Sequence, residues 1–182
     1  MNPAIRTVYT RNIEVVKGHE GRVRAVMSTE DIDRQGDIIR ASGWDLKNFL
    51  QHPVLLANHD YGSLQSQIGE WSNVSVKGRK LVGDANYYIG KGNAQADWGF
   101  GLAERGMAAF SVGFRPDWGA AVELDASDSF FGSFEFKGQE LLETSHVTIP
   151  ANPAALQRMA GVQTLHPVMR DIVDEAVAEL NG

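Results

Sequence analysis

Polar and apolar residues alternate through residues 6–17 and 21–30, through Gln67–Val76 and Lys80–Tyr88, and again through Met107–Phe114 and Glu143–Val147. A period of two suits a strand with one buried face, whereas a helix places its apolar residues three or four apart. Gly18–Gly21 separates the first pair of runs, and Lys77-Gly78-Arg79 separates the second, so each pair is expected to form a hairpin. The chain should be mostly β, of α+β class.

Three segments break the period. Trp44–Gln51 reads as a short helix capped near Ser42 or Asp45, and Ala94, Trp98, Leu102 and Arg105 lie near helical spacing with Gly106 as a stop. Residues 167–181 carry the stripe Met169, Ile172, Val173, Ala176, Val177 and Leu180, an amphipathic helix. Asp31–Asp37 is a turn-rich connection, and the polar, glycine-bearing Asp117–Ser133 is a long excursion between strands. A chain of 182 residues, 43% apolar and 22% charged, suits one domain over residues 1–182 with a substantial core.

Several function classes lack their chemistry. With no cysteine there is no disulfide scaffold, thiolate metal site or cysteine nucleophile. A formal charge of −6, with 17 dispersed Lys and Arg, argues against nucleic acid as a partner. No run of about 18 apolar residues exists and Met1–Arg6 lacks the apolar core of a signal peptide, so no membrane partner is expected and the protein should act where it is made. Gly90-Lys91-Gly92 lacks the spacing of a phosphate-binding loop, and His52, His59 and Asp60 lack the spacing of a metal-ligand pair. No cofactor or metal is expected.

What remains is a hydrolytic set. Phe110, Val112 and Phe114 share one face of their strand, leaving Ser111 on the other beside the small residues Ala109 and Gly113, where a substrate backbone has room to approach. His59 closes the apolar run Val54–Asn58 at a strand end, where one ring nitrogen is free to serve a neighbour. Glu143 shares a strand face with Ser145 and Val147, opposite Leu142, Thr144 and His146, and a carboxylate on so apolar a strand needs a partner. A nucleophile, a base and a base-orienting carboxylate are what a serine hydrolase requires.

The same residues carry a family resemblance. Ser28-Thr29, Asp33-Arg34-Gln35-Gly36-Asp37-Ile38-Ile39, Gly43-Trp44, Pro53-Val54-Leu55-Leu56, Asn58-His59-Asp60, Phe110-Ser111-Val112-Gly113-Phe114, Leu142-Glu143 and Ile149-Pro150-Ala151-Asn152-Pro153 occur in order. Together they resemble the prohead maturation proteases of tailed bacteriophages, over roughly residues 22–160. That family is regarded as related to the herpesvirus assemblins, so the resemblance implies a single-domain, assemblin-like β-barrel surrounded by helices. It implies Ser111 as nucleophile, His59 as general base and Glu143 as third member. Assemblins use a second histidine there, which makes His146 a rival.

By the same analogy, the backbone N–H of Ala151 or Asn152 forms the oxyanion hole. Pro150–Pro153 also reads simply as a strand-to-helix turn, with Asn152 as N-cap and Pro153 at the first helical position. The implied substrates are phage scaffold protein, the scaffold-like part of the capsid protein and the protease itself. The implied place is the assembling procapsid in the host cytoplasm. A homodimer is implied too, with the 167–181 helix as a candidate contact and Asp117–Ser133 as a candidate substrate-facing flap.

Overall fold

The computed structural model describes residues 21–124 and 132–157. The first strand of the expected N-terminal hairpin, residues 6–17, and the expected helix at 167–181 lie outside the described residues. The chain is mostly β, as its period implies. Its strands are β1 (Arg22–Thr29), β2 (Ile38–Ile39), β3 (Trp44–Asp45), β4 (Val54–Ala57), β5 (Gln67–Lys77), β6 (Lys80–Tyr87), β7 (Ala109–Pro116), β8 (Val122–Leu124), β9 (Ser133–Phe136) and β10 (Gln139–Val147). One α-helix, α1 (Ala94–Glu104), is present among the described residues. The helices expected around a barrel are thus reduced there to α1 and three short 3-10 turns.

Seven strands form one curled sheet. β1, β6, β5 and β4 pair antiparallel in that order, and β4 then lies parallel to β10. β10 takes β7 antiparallel from Gln139 to Val147, and carries β4 and the short β3 in parallel. The two outer strands, β1 and β7, are stitched at one end by residues 155–157. Val26 N–H donates to the Leu156 carbonyl at 2.9 Å, and Phe110 N–H donates to the Ala155 carbonyl at 2.8 Å. Beyond that stitch the two strands border an open cleft lined by Met27 and Ser28 from one and by Ser111, Val112 and Phe114 from the other.

The core follows the alternation. Val23, Ala25 and Met27 of β1 are buried on the same side as Leu81, Ala85 and Tyr87 of β6. Trp71 of β5 meets Phe110 of β7 edge to face, with centroids 5.0 Å apart, which packs the strand carrying Ser111 against the sheet interior. The β5–β6 hairpin pairs Lys77 with Lys80, so Gly78-Arg79 is a two-residue turn, and Gly78 takes the positive φ of +59° that such turns need.

One helical expectation changes and another holds. Trp44–Gln51 is not one helix: Trp44 and Asp45 pair with Gln139 and Glu140 of β10, and only Phe49–Gln51 turns, as a 3-10 helix. Edge pairing to β10 overrides a weak local helical pattern. Helix α1 does end at Gly106, where Met107 N–H reaches the Leu102 carbonyl and Gly106 N–H the Ala103 carbonyl. Its buried stripe, however, is Ala96, Gly99 and Ala103, and Trp98 is exposed. Small residues let the helix lie close to the sheet: a Cβ at Gly99 would stand 3.2 Å from the Tyr87 ring.

The excursion after β7 is partly ordered as sheet. β8 and β9 pair antiparallel, and β9 pairs parallel with β2, giving a separate three-stranded sheet beside the cleft. Trp118, Phe134 and Phe136 stack edge-on there, with centroid separations of 5.5 Å for Trp118–Phe134 and 5.7 Å for Trp118–Phe136. Residues 125–131 are outside the described residues.

Candidate active site

His59 sits just past β4, in a turn of uncommon backbone. Asn58 and His59 both have left-handed dihedrals, φ 51° and 55°, a conformation that costs a non-glycine residue about 1–2 kcal/mol and persists only where neighbours impose it. Here the neighbours are explicit. Asn58 N–H donates to the His146 carbonyl at 3.0 Å, and His59 N–H donates to Ser145 Oγ at 3.0 Å. Asp60 closes the turn by accepting from Gly62 N–H at 2.8 Å and Ser66 Oγ at 2.5 Å, and these bonds hold its carboxyl below the usual range.

The ring so placed meets Glu143. His59 Nδ1 lies 2.6 Å from Glu143 Oε1, with the imidazole about a third exposed at 35% and the carboxylate side chain at 3%. Tyr61 hydroxyl donates to the same oxygen at 3.2 Å, and Ser145 Oγ donates to Oε2 at 2.7 Å. Burial, and then the adjacent carboxylate, push the Tyr61 phenol up, so it stays a donor. Three side-chain donors satisfy a buried carboxylate that would otherwise cost several kcal/mol.

Ser111 stands opposite Ser145 in the β7–β10 register, and Gly113 stands opposite Glu143. The face-sharing of Ser111 with Gly113, and of Glu143 with Ser145, thus reads directly from the alternation. A bulge between Leu141 and Glu143 shifts the ladder and leaves Leu142 outside at 49% exposure. Ser111 and His59 line the same cleft, of about 1110 Å³, which also touches Arg34, Ala151, Asn152 and Trp118.

His146 is on the far side of β10. It is buried, with Tyr87 hydroxyl 2.9 Å from its Nδ1 and Phe110 beside the ring, and burial pushes its pKa down to about 4. Burial also pushes the Tyr87 phenol up, so this is a bond between neutral groups. The structure joins Glu143, not His146, to His59.

Ala151 and Asn152 both border the cleft. Asn152 is buried: its amide donates to the Thr29 carbonyl at 3.1 Å and Thr29 Oγ1 at 3.0 Å, and its Oδ1 accepts from Ala154 N–H at 2.9 Å. That last bond is the expected cap, yet through Gln157 the chain makes a turn followed by bridges to β1 and β7 rather than a helix. The stitch between the outer strands claims the residues that a helix would have used.

Sequence reasoning gave Tyr61 and Ser145 no role, and read Gly113 as room for substrate where the structure sets it against Glu143 and Tyr61. Ser145 had a signal, since it shares a face with Glu143 two residues away. Tyr61 had none beyond proximity to His59.

The chain has a curated relative. Over 139 residues it is 29% identical to the prohead protease of Escherichia phage T5. The alignment covers 72% of this chain and 59% of the phage T5 protein, so the chain spans about three fifths of that relative's length. No family model and no solved structure matches the chain. No helix among the described residues is long and apolar enough to cross a membrane.

Proposed function

We propose that this protein is a serine endopeptidase of phage prohead maturation, with Ser111 as nucleophile, His59 as general base and Glu143 as the carboxylate that orients it. The observation that carries the reading is the 2.6 Å bond between His59 Nδ1 and Glu143 Oε1, made at the wall of the cleft that Ser111 also lines. The similarity to the phage T5 prohead protease supplies the biological setting.

The chemistry follows from that bond. With Nδ1–H donated to Glu143, the Nε2 lone pair is available to take the Ser111 hydroxyl proton as Oγ attacks the scissile carbonyl carbon. The carbonyl π electrons move to oxygen, and the N–H groups of Ala151 and Asn152 receive that oxyanion. Collapse breaks the C–N bond, and the leaving amine takes the proton from Nε2. Water then repeats the sequence on the acyl-enzyme. Glu143 stabilises the imidazolium in both halves.

The substrates in this reading are scaffold protein, the scaffold-like part of the capsid protein and the protease itself, inside the assembling procapsid in the host cytoplasm. The curled sheet would then be an assemblin-like fold, with Asp117–Ser133 as a substrate-facing flap and a homodimer as the working form. The test is labelling of the full chain by a fluorophosphonate together with cleavage of the phage scaffold protein. Both are expected in the wild type and lost in Ser111→Ala. A folded wild type that is neither labelled nor active makes the protein a non-enzymatic assembly module and ends the proposal.

A further inference from the structure

The turn Asp33-Arg34-Gln35-Gly36-Asp37 contributes no atom to the proposed triad, yet it is built rigidly and faces the same cleft. Asp33 Oδ1 accepts from Gln35 N–H at 2.8 Å and Asp37 N–H at 3.0 Å, while Asp33 N–H donates to the Asp37 carbonyl at 2.9 Å. An aspartate that bonds its own turn in this way fixes the backbone locally. Gly36 has φ +88°, and a Cβ there would lie 2.4 Å from Ser133 Oγ, so the turn packs directly on β9. Asp37 Oδ1 completes the attachment by accepting from Phe134 N–H at 2.8 Å.

What this turn presents is Arg34. Its backbone N–H donates to the Ala151 carbonyl at 3.0 Å, and its guanidinium Nη1 donates to the Pro150 carbonyl. One residue therefore holds two successive carbonyls. In a planar trans peptide the C=O and the following N–H point in opposite directions, and no cis bond occurs among the described residues. Holding the Pro150 and Ala151 carbonyls toward Arg34 turns the N–H groups of Ala151 and Asn152 away from it. Among the described residues, nothing accepts a hydrogen bond from either N–H. The Asn152 side chain, tied to Thr29, resists rotation of the loop from the other end.

The geometry points to Arg34 as the positioning residue that presets the oxyanion hole, an inference that rests on the serine-protease reading. Two adjacent amide donors with no acceptor among the described residues, bordering the cleft of a candidate nucleophile, are the arrangement that receives a developing oxyanion, and their value depends on being held in place before the reaction. Arg34 supplies that hold. It touches no reacting atom, so its effect should appear in the transition state and not in substrate affinity.

The experiment compares the full-length wild type with Arg34→Ala and Arg34→Lys, using p-nitrophenyl acetate to acylate Ser111 and benzeneboronic acid as a tetrahedral mimic. Arg34→Ala should slow maximal acylation about 10- to 100-fold, somewhat less than deleting an oxyanion donor outright. Boronic acid affinity should fall by a similar factor, with the half-saturating ester concentration and the pH midpoint unchanged. Both variants retain the backbone bond to the Ala151 carbonyl and differ at the Pro150 carbonyl, where Arg34→Lys keeps one cationic donor and should recover part of the loss. If Arg34→Ala fails to fold, the lysine variant alone should still show the kcat-type loss. Acylation at the wild-type rate in Arg34→Ala, or a loss confined to half-saturation, overturns the inference while leaving Ser111 as nucleophile. A wild type that benzeneboronic acid and the ester do not touch at Ser111 removes the serine-protease reading and this inference with it.

Discussion

Gly113 faces Glu143 across the β7–β10 pair so closely that a Cβ at Gly113 would lie 2.2 Å from Glu143 Oε1 and 2.8 Å from the Tyr61 hydroxyl. The glycine in Phe-Ser-Val-Gly-Phe is therefore the space in which the carboxylate meets His59. Strand glycines often mark such close approaches.

Gly113→Ala should displace the Glu143 carboxylate and cut proteolysis by about 10²-fold, the scale of loss that a misplacement of about 1 Å brings. The backbone there is β, so alanine is tolerated conformationally and the protein should still fold. Proton NMR of the His59 Nδ1–H, together with cleavage rates, checks it. An alanine variant with full activity and an unchanged Nδ1–H resonance would show that the carboxylate has another place to go.

Glu143→Gln keeps the shape of the side chain and removes its charge. In the best-studied triad the corresponding loss is about 10⁴ in rate, and a fall of about 10²–10⁴ is expected here. Among the described residues the His146 ring makes no hydrogen bond to His59 and bonds Tyr87 instead. His146→Gln should therefore leave the cleavage rate within a few-fold of wild type at neutral pH. A near-normal Glu143→Gln enzyme beside a dead His146→Gln enzyme would reverse the assignment.

The alternation of polar and apolar residues was enough to place Ser111 with Gly113, and Glu143 opposite His146, because a strand's period of two leaves no other choice of face. It also gave the β5–β6 hairpin and the Gly106 stop of α1. Contacts distant in sequence were not legible. Trp44-Asp45 pairs with β10, more than ninety residues on, and that pairing, not local propensity, decides its structure. The helical spacing around Trp98 did not say which face of α1 is buried: the helix packs through Ala96, Gly99 and Ala103, and close approach rewards small residues over the large Trp98. The left-handed pair Asn58-His59, and the Ser145 hydroxyl that secures it, depend on β4 lying beside β10, which no local pattern announces.

Ser145 bonds two members of the proposed triad at once, accepting from His59 N–H and donating to Glu143 Oε2. Ser145→Ala should leave a part-buried amide and a buried carboxylate oxygen each short of a partner, at a cost of about 1–3 kcal/mol for the carboxylate oxygen and less for the amide. Both a lower thermal midpoint and a slower cleavage rate are expected, with Ser145→Thr, which keeps the hydroxyl, recovering much of the rate. Denaturant unfolding and steady-state kinetics on the two variants check this. An alanine variant as stable and as active as wild type would mean that the hydroxyl is a bystander.

His146 makes the fold acid-sensitive from one identifiable position. Its pKa is about 4 in the folded protein because burial disfavours the imidazolium, against about 6.5 for an unperturbed histidine. A depressed folded pKa means that the unfolded chain binds the proton first as pH falls. The contribution is thus intact above about pH 6.5, erodes as pH drops from there toward 4, and levels off below the folded value. The shift corresponds to a loss on the order of 3 kcal/mol at full extent. Urea unfolding of the wild type and His146→Gln between pH 4 and 7.5 isolates it, since the carboxylates titrate in both proteins. The variant should start less stable, having lost the packed ring, but its stability should fall less steeply between pH 6.5 and 4. Parallel curves across that range would show that His146 takes up its proton in the folded protein as readily as in the unfolded chain, and that its burial is looser than the contact with Tyr87 and Phe110 implies.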